Sequence, residues 1–197
     1  MDVAILLFAD FETLDVFGPV EIFGRASDLY SIKFYSLKGG SISNKQGVSI
    51  VTHKLDSISP KAKLLLVPGG MGTRTEVNND LLISKMKKIA IQSDYVLTVC
   101  TGSALLAKTG LLDNKEATSN KKAFSWVITT GKRVLWNRKA RWTTDGKFYT
   151  SSGVSAGMDM VLGFLSDRHG IDFARQISTD IEYLWTENKD CDTFTAE

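Results

Sequence analysis

Short, almost unbroken apolar runs that alternate with stretches of helical spacing constrain this chain more than any other feature. Val3-Ala-Ile-Leu-Leu-Phe, Leu64-Leu-Leu-Val and Val96-Leu-Thr-Val offer no polar face, as expected of strands covered on both sides of a parallel sheet. Residues 32–37 and 47–52 read as two further strands. Helical spacing predicts helices over residues 16–25, 80–93, 156–169 and 172–184, with Gly170 as the turn between the last two. Asp145-Gly146, between two alternating runs, predicts a β-hairpin that interrupts the α/β rhythm. The expectation is an α/β fold with a mostly parallel central sheet.

At 197 residues with 43% hydrophobic and 23% charged residues, the chain fits one domain spanning 1–197 with one core. A formal net charge of +2 asks for no polyanionic partner. Two widely separated cysteines give neither a disulfide framework nor a metal-binding pattern, so a reducing cytoplasm, no metal and no membrane are expected. The opening residues form a strand with no basic segment before it, which is unlike a secretion signal. Lys121, Lys122, Arg138 and Arg141, interleaved with Trp126, Trp136 and Trp142, are expected to form a solvated face. No nucleic-acid partner is expected.

Cys100 is the residue with most chemical meaning, because it falls on the corner between an apolar strand and the helical run Thr101-Gly-Ser-Ala-Leu-Leu-Ala. That corner lies at the carboxyl edge of an α/β sheet, where N–H groups and the helix dipole favour thiolate over thiol. A cysteine also packs well as a small buried hydrophobe, so the local pattern leaves both roles open. If the sheet is parallel, two other loops open on the same edge: the one containing Asp15, and Gly69-Gly70, whose N–H groups can approach a ligand. Ser152-Gly153 makes a fourth such loop. Asp15 and Ser152 also suit helix capping. His53 and His169 read as structural, Cys191 as a surface residue, and Phe11, Phe17, Trp126 and Trp185 as core.

Leu14-Asp15-Val-Phe-Gly-Pro-Val-Glu21, Val67-Pro-Gly-Gly70, Val99-Cys-Thr-Gly-Ser-Ala-Leu-Leu-Ala107, Ala117-Thr118 and Ser152-Gly-Val-Ser-Ala-Gly-Met-Asp159 together resemble the ThiJ/PfpI superfamily over almost the whole chain. Cysteine followed by threonine and glycine, with Leu-Asp-x-x-Gly-Pro near the start, is similar to its isonitrile (isocyanide) hydratase branch. The resemblance implies a flavodoxin-like three-layer sandwich, a homodimer, and a small-molecule substrate handled without a cofactor. It implies a nucleophilic Cys100 on a strained elbow, Asp15 as general acid and base, and Thr101 as an orienting hydroxyl. N–H groups at Gly70 and Thr101 would steady charge, and Gly69, Gly70, Ser152 and Gly153 would line the substrate site. Two departures stand out: Thr101 replaces the histidine of the protease branch, and Asn120 replaces a histidine common after the Ala-Thr pair. Glyoxalase-type or amidase chemistry, and a redox-sensing thiol, are the competing functions.

Overall fold

In the computed structural model, which describes residues 1–59 and 62–195, the apolar runs form the centre of an eight-stranded sheet. The elements in chain order are β1 (Asp2–Leu7), α1 (Thr13–Arg25), β2 (Ser31–Ser36), β3 (Gly40–Ser43), β4 (Ser49–Lys54), β5 (Ala62–Val67), α2 (Thr73–Glu76), α3 (Asp80–Gln92), β6 (Tyr95–Thr98), α4 (Gly102–Lys108), β7 (Glu116–Ala117), α5 (Phe124–Val127), β8 (Leu135–Trp136), β9 (Trp142–Asp145), β10 (Phe148–Ser151), α6 (Ala156–His169) and α7 (Ile171–Asp180). The sheet runs β3-β4-β2-β1-β5-β6-β10-β9. Pairing is parallel from β4 through β10, and one antiparallel strand closes each edge. β7 and β8 pair separately.

Helices α1, α6 and α7 pack together on one face, and α2, α3 and α4 on the other, giving three layers. The strands without a polar side, β1, β5 and β6, take the central places because only there are both faces covered. On the α1/α6 side, Phe23, Tyr30, Tyr95 and Tyr149 stand around the fully buried Phe164, all four edge-on to its ring. Burial of each such ring contributes on the order of 2–3 kcal/mol.

Several elements differ from the expectation, and the last helix, expected over 172–184, stops as α7 at Asp180. Helix α1 starts at Thr13, so Asp15 sits in its first turn rather than in the preceding loop, and it does not cap the helix: the cap position is Glu12. β3 has no sequence signal, because Gly40-Ser-Ile-Ser is a short, mostly exposed edge strand whose only strand partner among the described residues is β4. The hairpin expected as an insertion is built into the sheet, since β10 pairs in parallel with β6 and carries β9 to the edge. Its strand end therefore joins the same carboxyl edge as β1, β5 and β6.

Candidate active site

The strands β1, β5, β6 and β10 are neighbours and parallel, so the segments that leave them meet at one edge. Cys100 sits there, two residues beyond β6, with φ +56°, a left-handed conformation that a non-glycine residue adopts at a cost of about 1–3 kcal/mol. The elbow is held on all sides. Cys100 donates its N–H to the Ser152 carbonyl at 3.2 Å. Its own carbonyl accepts from Ser119 Oγ at 2.8 Å and from Ser103 Oγ at 3.1 Å.

Asp15 reaches this corner from α1. Its Oδ2 accepts the Gly69 N–H at 2.8 Å, whereas Oδ1 is buried with no hydrogen-bond partner among the described residues. Gly69 is obligatory for the approach: a Cβ there would lie 2.6 Å from the Thr101 nitrogen and hydroxyl and 2.9 Å from Asp15 Oδ2. Gly69 therefore holds the acid, and its N–H is not free for a ligand. The Gly70 N–H is also engaged, by Thr101 Oγ1 at 3.1 Å, so it does not supply the charge-steadying donor expected of it. Thr101 makes no capping bond; its hydroxyl is locked between Gly70 and Thr73 Oγ1 at 3.0 Å, while its N–H faces the Cys100 sulfur.

The electrostatics reverse one expectation. Burial, and then the neighbouring Asp15 carboxylate, push the Cys100 thiol well above its ordinary value; the Thr101 N–H and hydroxyl and the Asn120 amide favour the thiolate but are outweighed. Burial likewise holds the Asp15 carboxyl well above its ordinary range against the Gly69 N–H, with Glu12 adding to the rise. Two acids pressed together in a dry corner carry at most one charge with ease.

Ser152 and Gly153 are at the site, in altered roles. The Ser152 N–H is taken by the Arg141 carbonyl at 2.8 Å, so it is not free for a ligand. Gly153 packs on the Cys100 sulfur: a Cβ would lie 2.8 Å from Sγ and collide with Asn120 Nδ2. Asn120 also stands at this corner, although the sequence-based set of site residues lacks it. Its Oδ1 accepts the Ala123 N–H at 2.9 Å, which fixes the amide and directs Nδ2 toward Cys100. A cleft of about 420 Å³ opens over the sulfur, lined by Gly70, Thr101 and Asn120 together with Glu12, Arg74 and Lys122, of which the last three carried no sequence signal as site residues.

Elsewhere the structure corrects the expected solvated basic face. Lys121 and Arg141 are buried, because Asp159 and Asp192 neutralise them: Arg141 meets Asp159 at 2.6 Å and Asp192 at 3.6 Å, and Lys121 lies 3.9 Å from Asp192. Phe17 is 39% exposed rather than core, and Trp126 is half-buried beneath Arg74. His169 accepts or donates a 2.8 Å hydrogen bond with Tyr30, a structural role, and burial together with Arg168 favours its neutral form. Cys191 is exposed. Among the described residues no helix is long and apolar enough to cross a membrane, and no group of three or more His, Cys, Asp or Glu side chains is placed to hold a metal ion.

A three-layer α/β sandwich whose strained cysteine elbow meets a buried acid from its first helix defines a class of cysteine-centred α/β proteins. Within that class, the chain belongs to the DJ-1/PfpI family, whose sequence model matches residues 1–167. It is 26% identical over 183 residues to an isonitrile hydratase of Pseudomonas putida, covering 93% of this chain and 78% of that protein. It is also 26% identical over 192 residues to the HTH-type transcriptional regulator GbdR of Pseudomonas aeruginosa, covering 95% of this chain and 52% of the regulator. In three dimensions it is similar to a ThiJ/PfpI family protein from Pseudomonas syringae, with a TM-score of 0.79, 24% identity, and coverage of 92% and 74% of the two chains. That likeness shows the fold.

Proposed function

We propose that the protein is a cofactor-independent hydratase that adds water to a small electrophile such as an isonitrile, giving an N-substituted formamide. The observation that carries this reading is the Cys100–Asp15 pair: a sulfur on a strained elbow beside a buried carboxyl whose proton affinity is raised. In its singly ionised form, the pair exists as thiolate and carboxylic acid when the proton rests on Asp15. Sγ attacks the terminal isonitrile carbon, Asp15 delivers its proton to that same carbon, and a thioimidate results. Water then adds to the thioimidate carbon as the Asp15 carboxylate takes one of its protons and passes it to the nitrogen. Collapse of the adduct breaks the C–S bond, hands the hydroxyl proton to Asp15, releases the formamide and restores the thiolate beside the carboxylic acid. The Thr101 N–H and Asn120 Nδ2 are the donors near the developing charge.

In this account the protein is a cytoplasmic homodimer acting on a small molecule, with its cysteines reduced. The match to GbdR, of which this chain spans about half the length, favours a second reading: the same cleft binds a ligand without turning it over. Turnover of an aryl isonitrile by wild type and Cys100→Ala, with methylglyoxal run in parallel, separates the functions. Formamide that disappears in the variant is the expected result. Turnover of the dicarbonyl alone would make the chemistry glyoxalase-type, and no turnover of either would favour ligand binding or a redox-sensing thiol.

A further inference from the structure

Arg74 is set into the cleft over Cys100 in a way that its charge alone does not require. It projects from α2, just beyond Gly69-Gly70, and its guanidinium carbon lies 3.4 Å from the centre of the Trp126 ring. Stacking on the indole face fixes the guanidinium plane and leaves its in-plane N–H donors free. Arg25, Arg133, Arg141 and Arg175 each hold a carboxylate partner. Among the described residues Arg74 has neither an ion pair nor a hydrogen bond from its guanidinium, although it is half-buried, and Cys100, when it is a thiolate, is the opposite charge that it senses. The other charged residues that line the cleft, Glu12 and Lys122, have opposite signs, so Arg74 is the surplus charge facing the sulfur. A stacked, unpaired guanidinium beside a nucleophile is a fork built for a planar anion.

We propose that the cleft selects small electrophiles that carry a carboxylate, which Arg74 grips in bidentate fashion while the electrophilic carbon meets Cys100 Sγ. The proposal rests on Cys100 being the nucleophile, and it adds the class of substrate. A simpler role for Arg74, steadying the thiolate, would speed attack on neutral and anionic reagents alike. A ratio of rates therefore distinguishes the two roles.

Iodoacetate and iodoacetamide differ in charge and react by the same displacement, in which the S–C bond forms, the C–I bond breaks and iodide leaves. Their rates at Cys100, resolved from Cys191 by peptide mass, are to be compared with those on free N-acetylcysteine. In wild type the iodoacetate-to-iodoacetamide ratio at Cys100 should exceed the free-thiol ratio by about tenfold. It should fall to the free-thiol ratio in Arg74→Gln, take an intermediate value in Arg74→Lys, and persist in Lys122→Gln. Equal ratios in wild type and Arg74→Gln, or loss of the bias in Lys122→Gln instead, would overturn the proposal. Failure of both reagents to modify Cys100 would remove the nucleophile and the proposal with it. Biased alkylation without isonitrile turnover would leave anion selection standing and remove only the hydratase chemistry.

Discussion

Asp15 and Asp159 are both fully buried, and burial raises the proton affinity of both carboxyls, yet their surroundings are opposite in kind. Asp159 is saturated. Arg141 donates to Oδ2 at 2.6 Å, and Oδ1 accepts the Tyr183 hydroxyl and the Thr186 N–H, each at 3.0 Å. Trp185 Nε1 donates to its backbone carbonyl at 3.2 Å, so the residue pins the segment after α7 onto α6. Asp15 has a single N–H on one oxygen, nothing on the other, and a thiol as neighbour. A raised proton affinity alone therefore does not mark a reactive site; an unmet hydrogen-bonding capacity beside a nucleophile does.

The comparison is sharpened first by removing each centre. Cys100→Ala should abolish turnover with the fold intact, as followed by circular dichroism. Asp15→Asn, assayed for isonitrile hydration, should lower turnover by roughly two to four orders of magnitude. Wild-type rates in Asp15→Asn would take the acid out of the mechanism. At the structural cluster, Arg141→Ala leaves Asp159 buried without its cation and Asp192 with Lys121 alone, and should lower unfolding stability by about 3–5 kcal/mol in urea.

A smaller effect tests the contrast through its sign. The native state holds the Asp15 proton above pH 3.8, where the unfolded chain gives it up, so this group's contribution to stability is full below that pH and is lost as pH rises through the raised native value. Asparagine can keep the Gly69 contact without a charge. Asp15→Asn should therefore gain stability relative to wild type as pH rises from below 3.8 to neutrality, whereas Asp159→Asn, which deprives Arg141 of the nearer of its two carboxylates, should be less stable than wild type at neutral pH. Denaturant midpoints across that pH range measure both; no gain in Asp15→Asn, or an Asp159→Asn variant as stable as wild type at neutral pH, would break the comparison. The smallest change is Gly153→Ala, whose methyl crowds Cys100 Sγ and Asn120; turnover should drop by about tenfold with little change in unfolding midpoint.

The sequence makes the edge legible and the lining obscure, for physical reasons. Strands covered on both faces leave apolar runs, so β1, β5 and β6 and the corner after each are visible, and the span of α6 agrees with its helical spacing. Cys100, Asp15, Gly69 and Gly70 meet because those corners share one edge. Asn120 lies in a segment without periodicity, and its amide has no titration to betray it. Arg74 acquires meaning only from Trp126, far along the chain, and the Arg141–Asp159 pair forms only when β9 joins the sheet next to α6. A basic residue read by its neighbours in sequence looks solvated; Lys121 and Arg141 are buried because Asp192, from the far end of the chain, folds back over them.

The central claim, that Cys100 forms a covalent bond to substrate carbon with Asp15 as proton donor, is tested most directly by acid-quenching the protein during turnover of an aryl isonitrile and weighing the Cys100 peptide. The account predicts a mass increase of one isonitrile on that peptide alongside accumulating formamide, and neither in Cys100→Ala. Formamide produced at wild-type rate by Cys100→Ala, or an isonitrile mass found on any residue other than Cys100, would contradict it.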